Sequence, residues 1–121
     1  MRAARLWSAR DIRVEDVAPP EPEAGEELVR VTAVGLCGSD LHWFEEGGIG
    51  GSRVERPIIL GHEFAGVTSD GRRVAVDPAV PCGTCELCTD GQPNLCEAVR
   101  FAGHDVDGAL RELVAWPERC L

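Results

Sequence analysis

The sequence contains neither lysine nor tyrosine, and its basic side chains are therefore all arginine. The 12 arginines stand against 21 acidic residues, which gives a formal net charge of −9 at pH 7. A surplus of negative charge repels the phosphate backbone of nucleic acids, so we expect no nucleic-acid partner. We interpret the missing residue types as a compositional bias of the genome that points to no mechanism.

Long apolar segments are missing as well. No apolar run approaches the ~20 residues that a membrane-spanning helix requires. Near the N-terminus, charged residues interrupt the chain before an apolar stretch of signal-peptide length can form. We therefore expect no membrane partner and a cytoplasmic location. The composition, with 44% apolar and 27% charged residues among 121, is typical of one globular domain spanning residues 1–121.

A dinucleotide-binding fingerprint is also absent. Gly48 and Gly50 match its first two glycines, but Arg53 occupies the place of the third small residue and no predicted strand precedes them. We therefore predict that these 121 residues contain no Rossmann cofactor domain. The glycine-rich run 47–51 is interpreted as a mobile surface loop.

Alternating and β-branched segments predict a mainly β fold. A hairpin is expected near the start, a long strand follows and ends next to Cys37, and a second hairpin turns at the Asp70-Gly71 pair. The predicted strands cover residues 3–7, 12–17, 28–34, 64–68 and 73–76. One helical stretch is predicted at 40–46, with Leu41, Phe44 and His42 as candidates for its inward face.

Four cysteines lie close together in the pattern C-x2-C-x2-C-x7-C, namely Cys82, Cys85, Cys88 and Cys96. Spacings of two residues let one turn present neighbouring thiolates to one ion, and four thiolates complete the tetrahedral coordination of zinc. Because a closed site leaves no position for water or substrate, we predict a structural zinc in a lobe spanning 82–96. Two disulfides, a dithiol redox pair and an iron–sulfur cluster are the alternatives.

A second group of metal-binding residue types precedes this lobe. It consists of the motif Cys37-Gly38-Ser39-Asp40-Leu41-His42 and the later motif Gly61-His62-Glu63-Phe64-Ala65-Gly66. These two motifs, followed in order by the four-cysteine lobe, resemble the zinc-containing medium-chain alcohol dehydrogenases, nearest to the sorbitol, threonine and idonate-type dehydrogenases. The resemblance extends from about Leu28 to Pro117.

The resemblance implies a GroES-like, partly open β-barrel with a structural-zinc lobe and one or two short helices. It implies that Cys37 and His62 bind a catalytic zinc, with Glu63 beside the metal as a ligand or as a close neighbouring carboxylate. Ser39 matches the hydroxyl that hydrogen-bonds the substrate oxygen, and His42 matches the residue that passes the proton outward. Such a zinc keeps one position open, where it polarises the substrate hydroxyl.

Simpler roles are open for several of these residues. Ser39 could cap the short helix, and His42 could be a partly exposed helix residue. Asp40 could orient His62 through its ring nitrogen, although as an isolated acid it would be unremarkable. His104, which lies outside both motifs, is interpreted as an exposed loop residue, and Cys120 is interpreted as chemically inert.

Members of the family also carry a Rossmann domain. The resemblance therefore implies oxidation of a secondary alcohol or polyol with NAD or NADP held by a domain absent from this chain, and the chain alone is expected to lack activity. A non-enzymatic zinc-binding module or a truncated scaffold protein is the alternative function. Apolar surface that the missing domain normally covers could favour a homo-oligomer.

Overall fold

The computed structural model describes all residues from 1 to 121 and is mainly β, with four sheets of antiparallel strands. The strands are β1 (Arg2–Ser8), β2 (Asp11–Asp16), β3 (Glu26–Gly35), β4 (Gly48–Ile49), β5 (Ser52–Arg53), β6 (Ile58–Ile59), β7 (Glu63–Thr68), β8 (Arg73–Ala75), β9 (Ala79–Val80), β10 (Arg100–Phe101) and β11 (Leu113–Pro117). The helices are α1 (Gly38–Glu46) and α2 (Glu86–Thr89), and 3-10 turns cover Pro93–Leu95 and Glu118–Cys120. Neither helix combines the length and the apolar character needed to cross a membrane.

The first sheet confirms the predicted N-terminal hairpin. Strands β1 and β2 pair antiparallel, and β6 pairs with the other edge of β1 to give the order β2-β1-β6. Arg10 closes the turn with a positive φ of 62°, a conformation that is uncommon for a residue with a Cβ. Leu6 is fully buried in β1, which fixes the register because a shift by one residue would expose it.

The second sheet has the strand order β11-β3-β7-β8 and includes the predicted long strand and the second hairpin. β3 pairs with β11 on one side and with β7 on the other, while β7 turns into β8 through Asp70 and Gly71. Gly66 allows β7 to approach β3 closely, because a Cβ at this position would collide with the carbonyl oxygen of Arg30. The four strands therefore form one closely paired sheet.

Two apolar clusters hold the sheets together. The larger packs residues of the four-stranded sheet against β9 and the C-terminal turn, and its rings Phe64 and Trp116 meet edge to face with centroids 6.2 Å apart. The smaller cluster joins α1 to the first sheet through Leu6, Trp43 and Ile58. Burial of each large side chain contributes roughly 1.5–3 kcal/mol. The separate sheets do not close into a complete barrel, which confirms the predicted mainly β, partly open fold.

Two local predictions are wrong. The glycine run 47–51 belongs to a small hairpin, because β4 and β5 pair across Gly50 and Gly51. The predicted inward face of α1 is wrong at Leu41 and His42, which are exposed, although Phe44 packs against the smaller cluster as expected. Asp40 and Trp43 are the buried residues of this helix. The helix packs on the smaller cluster through Trp43. Asp40, three positions earlier, lies on the same face of the helix and therefore also points inward.

Candidate metal centres

The two sequence motifs meet where β3 and β7 pair. Gly35, the last residue of β3, lies opposite Glu63, the first residue of β7, and Cys37 follows as the N-cap of α1. A Cβ at position 35 would lie 2.5 Å from Oε2 of Glu63, so glycine leaves room for this carboxylate. Ligand atoms of Cys37, His62 and Glu63 all lie within 4.8 Å of one another. This donor set of thiol, imidazole and carboxylate is the type that catalytic zinc takes, with a further position open.

Asp40 connects the two motifs. Its Oδ2 accepts a hydrogen bond of 3.0 Å from the backbone N–H of Cys37, and its Oδ1 accepts one of 3.2 Å from the backbone N–H of Gly61. Oδ1 also lies 3.6 Å from Nδ1 of His62, beyond hydrogen-bond distance but within electrostatic contact. Because Asp40 is only 4% exposed, this carboxylate fixes both backbone segments in a weakly solvated environment.

Phe101 forms one wall beside His62 and was not predicted from the sequence. Its ring packs on the imidazole with centroids 5.3 Å apart and an angle of 53° between the planes. Phe101 lies in β10, which pairs antiparallel with β9. A single aromatic residue far from both motifs has no spacing that could have revealed this contact.

The structure places Ser39 and His42 on α1, one helical turn apart. Ser39 lies in the first turn of the helix and Cys37 is the N-cap, so the alternative role of Ser39 as a capping residue is wrong. The Ser39 side chain forms no hydrogen bond within the chain and is half-buried. The His42 side chain is 58% exposed, and its Nδ1 lies 3.0 Å from Oε1 of Glu46. An exposed histidine beside a carboxylate is in a position to exchange protons with solvent.

The four-cysteine lobe consists of two short turns and little regular structure. Cys82 follows β9, Cys85 is the N-cap of α2, Cys88 lies in that helix, and Cys96 ends the next 3-10 turn. The sulfur atoms of Cys82 and Cys88 are 3.9 Å apart, and those of Cys85 and Cys96 are 4.0 Å apart. Tetrahedral zinc with bonds of about 2.3 Å would separate its sulfur ligands by about 3.8 Å. The arrangement fits zinc, and all six cysteines of the chain are free of disulfide bonds.

The thiols of this lobe differ in acidity. Hydrogen bonds from the backbone N–H groups of Thr84 and Cys85 to the sulfur of Cys82 lower the pKa of this thiol to about 6. Desolvation raises the pKa of the Cys88 thiol to about 12. These two sulfur atoms are neighbours, so the ionisation of one discourages that of the other. Of these two thiols, Cys82 is therefore the one that ionises more readily at neutral pH.

Two further residues lie apart from both metal-binding groups. His104 is half-buried, and its ring meets the edge of Trp43 with centroids 5.4 Å apart, so its interpretation as an exposed loop residue is wrong. Cys120 lies in the larger apolar cluster, where burial raises the pKa of its thiol. A raised pKa reduces the thiolate fraction at neutral pH and agrees with low reactivity.

Comparison with known proteins identifies the fold family. Residues 23–121 match the model of the alcohol dehydrogenase GroES-like domain. The chain belongs to this family. The match covers most of the chain and confirms the resemblance of its motifs to the N-terminal domain of zinc-containing medium-chain alcohol dehydrogenases.

The similar proteins are dehydrogenases about three times as long as this GroES-like domain. This chain is 44% identical to a sorbitol dehydrogenase of Bacillus subtilis (strain 168), and the match covers 94% of this chain and 35% of the relative. A solved galactitol-1-phosphate dehydrogenase from Escherichia coli superimposes with a TM-score of 0.88 at 30% identity, over 99% of this chain and 37% of the other. A short chain alcohol dehydrogenase from E. coli CFT073, complexed with NADH, gives a TM-score of 0.87 at 33% identity, with the same two coverages of 99% and 37%.

Proposed function

We propose that this GroES-like domain is the catalytic-zinc domain of a dehydrogenase that oxidises a secondary alcohol or polyol with NAD or NADP. The single observation that supports this most strongly is the convergence of Cys37, His62 and Glu63, with their ligand atoms within 4.8 Å of one another. A three-residue donor set leaves room for a substrate oxygen, whereas a purely structural site is closed by four protein ligands. The sorbitol dehydrogenase relative supports the substrate class.

Each residue around this site has a separate role in the proposed chemistry. Cys37, His62 and Glu63 would hold a zinc ion, which supplies Lewis acidity to a substrate hydroxyl when it is bound. The unpaired hydroxyl of Ser39 would hydrogen-bond the substrate oxygen and accept its proton while releasing its own hydroxyl proton toward His42. His42, one turn along the helix and exposed, passes that proton to solvent. Asp40 acts through the backbone and the ring of His62, and therefore positions the site without touching substrate.

The four-cysteine lobe has a separate role in this proposal. Cys82, Cys85, Cys88 and Cys96 bind a structural zinc that fixes a segment with little hydrogen-bonded secondary structure. Because all four ligands are cysteines of this lobe, the site needs nothing from the rest of the molecule. This completeness also favours the second candidate function, a zinc-binding module without catalytic activity.

A chimaera distinguishes the two candidates. The GroES-like domain replaces the corresponding N-terminal third of the Bacillus subtilis sorbitol dehydrogenase, and NAD reduction is measured with sorbitol and other secondary alcohols. We expect the chimaera to be active, the His62→Ala chimaera to be inactive, and the isolated chain to be inactive because it lacks a dinucleotide fingerprint. An Asp16→Asn chimaera, changed at an exposed residue with no side-chain partner, is the matched control.

Either of two results would refute the catalytic assignment. Undiminished activity of the His62→Ala chimaera would show that this imidazole is unnecessary. A folded chimaera that holds both zinc ions but oxidises no alcohol would favour the zinc-binding module.

A further inference from the structure

Strand β2 forms one edge of the first sheet and has no neighbouring strand on its outer side. Across the hairpin, Met1 and Val17 exchange two backbone hydrogen bonds of 2.8 and 2.9 Å. Because hydrogen-bonded and non-bonded pairs alternate along antiparallel strands, Arg13 and Glu15 are the residues of β2 that bond to β1. The backbone N–H and C=O groups that point outward to solvent therefore belong to Ile12, Val14 and Asp16.

The outer edge of β2 also carries two exposed apolar side chains. Val14 is 73% exposed and Ile12 is 40% exposed. The two residues are separated by one position, so their side chains lie on the same face of the sheet and form an apolar stripe at its edge. An edge strand with free backbone groups and exposed apolar side chains is a template for pairing with another strand.

The charged side chains on the other face of β2 keep free hydrogen-bonding groups. Arg13 binds Asp11 through Nε and Nη2, at 2.9 and 2.6 Å, which leaves its Nη1 without a partner. Glu15 accepts hydrogen bonds from Trp7 and Arg5 through Oε2 alone, which leaves its Oε1 without a partner. The Arg13 guanidinium also lies over the Trp7 ring, 4.6 Å from its centroid. These contacts hold a free donor and a free acceptor on the same face of the edge strand.

The order of these residues matches a second copy of β2 that runs antiparallel. Outward-pointing residues must face one another, so a two-fold axis lies at one such residue or midway between two of them. An axis midway between Ile12 and Val14 places Arg13 opposite Arg13. An axis midway between Val14 and Asp16 places Glu15 opposite Glu15, and like charges directly opposite are destabilising. An axis at Val14 places Arg13 opposite Glu15 on both sides, whereas an axis at either end of β2 shortens the pairing.

We propose that two copies of this chain associate through antiparallel pairing of their β2 edges, with the two-fold axis at Val14. In this register the two Val14 residues exchange both backbone hydrogen bonds, and Ile12 of each copy exchanges both with Asp16 of the other. On one face Val14 meets Val14, and on the other Nη1 of Arg13 is placed to donate to Oε1 of Glu15. The association uses no metal ligand and is independent of the proposed catalytic function.

The expected association is weak and reversible. A strand of six residues from each copy forms the contact, and we expect it to bury less than the roughly 1,000 Å² of a stable interface. The formal net charge of −9 on each chain adds long-range repulsion. Dimers should therefore form only at high protein concentration.

Charge-reversed variants test the partner and the register together. Sedimentation velocity of the unchanged chain, from ~10 µM to ~1 mM, should show a monomer–dimer equilibrium. Arg13→Glu and Glu15→Arg should each dimerise about 10-fold more weakly, because two attractive cross-strand pairs become repulsive. An equimolar mixture of the two variants should recover dimers, since opposite charges face one another again in the mixed pair. Glu45→Arg, changed at an exposed residue of α1, is the matched control and should dimerise like the unchanged chain.

Disulfide cross-linking locates the two-fold axis. Hydrogen-bonded antiparallel pairs have Cα atoms about 5.5 Å apart, a distance that a disulfide spans. With oxidised glutathione, Val14→Cys should therefore form a disulfide between two copies, and peptide mass spectrometry identifies the linked position. Ile12→Cys should form none, because position 12 lies opposite position 16.

Four results would each overturn the proposal. They are a chain that stays monomeric at ~1 mM, dimers that neither charge reversal weakens, a mixture of folded variants that fails to recover dimers, and equal cross-linking of Ile12→Cys and Val14→Cys.

Discussion

Replacement of Asp40 by asparagine is the most informative change to the positioning of the metal centre. The carboxylate accepts hydrogen bonds from Cys37 and Gly61 and is buried. Asparagine has nearly the same shape, but one of its two polar ends is an NH₂ group. That end must face a backbone N–H, which then loses its acceptor.

The structure sets the expected magnitude. A hydrogen bond to a charged group contributes ~1.5–3 kcal/mol, and one of the two is lost. The substitution also removes the desolvation cost of a buried charge, which offsets part of the loss. We therefore expect the free energy of unfolding to fall by about 2 kcal/mol. For a domain of this size, that corresponds to a melting temperature lower by roughly 6–8 °C.

Two assays measure these effects. Urea unfolding at fixed zinc concentration, compared with the exposed control Asp16→Asn, gives the change in stability. Competition with a zinc chelator gives the affinity of the Cys37–His62–Glu63 site, which should weaken about 10-fold or more because Asp40 no longer orients His62. A stability within about 0.5 kcal/mol of the control, with unchanged zinc affinity, would refute the positioning role of Asp40.

Two further predictions concern the four-cysteine lobe. Cys88→Ser should lower both the melting temperature and the zinc content, because a structural zinc contributes directly to folding; unchanged melting and zinc content would exclude the structural site. In chain stripped of zinc, Cys82 should be alkylated by iodoacetamide at neutral pH before Cys88, since backbone hydrogen bonds lower the thiol pKa of Cys82 to about 6 and desolvation raises that of Cys88 to about 12. Peptide mass spectrometry identifies the order, and equal rates at both cysteines would contradict it.

Local patterns were sufficient to predict much of the fold. Period-two alternation predicted the N-terminal hairpin, and Asp70-Gly71 marked the turn between β7 and β8. The inward face of α1 could not be read in the same way, because an apolar Leu41 lies exposed while a charged Asp40 is buried. Asp40 accepts one local hydrogen bond from Cys37, but its contacts with Gly61 and His62 are long-range, and periodicity carries no information about these.

The candidate metal centre, like the fold, could be predicted only in part from the sequence. Motif order predicted that Cys37, His62 and Glu63 belong together, and the antiparallel register of β3 and β7 brings them together. Their role in binding metal stays a prediction. Phe101 and the contact between His104 and Trp43 were missed, since each depends on the path of the segment after the four-cysteine lobe.

The number of zinc ions per chain tests the central claim most directly. Elemental analysis of protein purified without added metal or chelator should find about two zinc ions in the unchanged chain and about one in either His62→Ala or Cys85→Ser, because each variant disrupts a different site. A single zinc that is unaffected by His62→Ala and lost in Cys85→Ser would contradict the account, because the Cys37–His62–Glu63 group would then hold no metal.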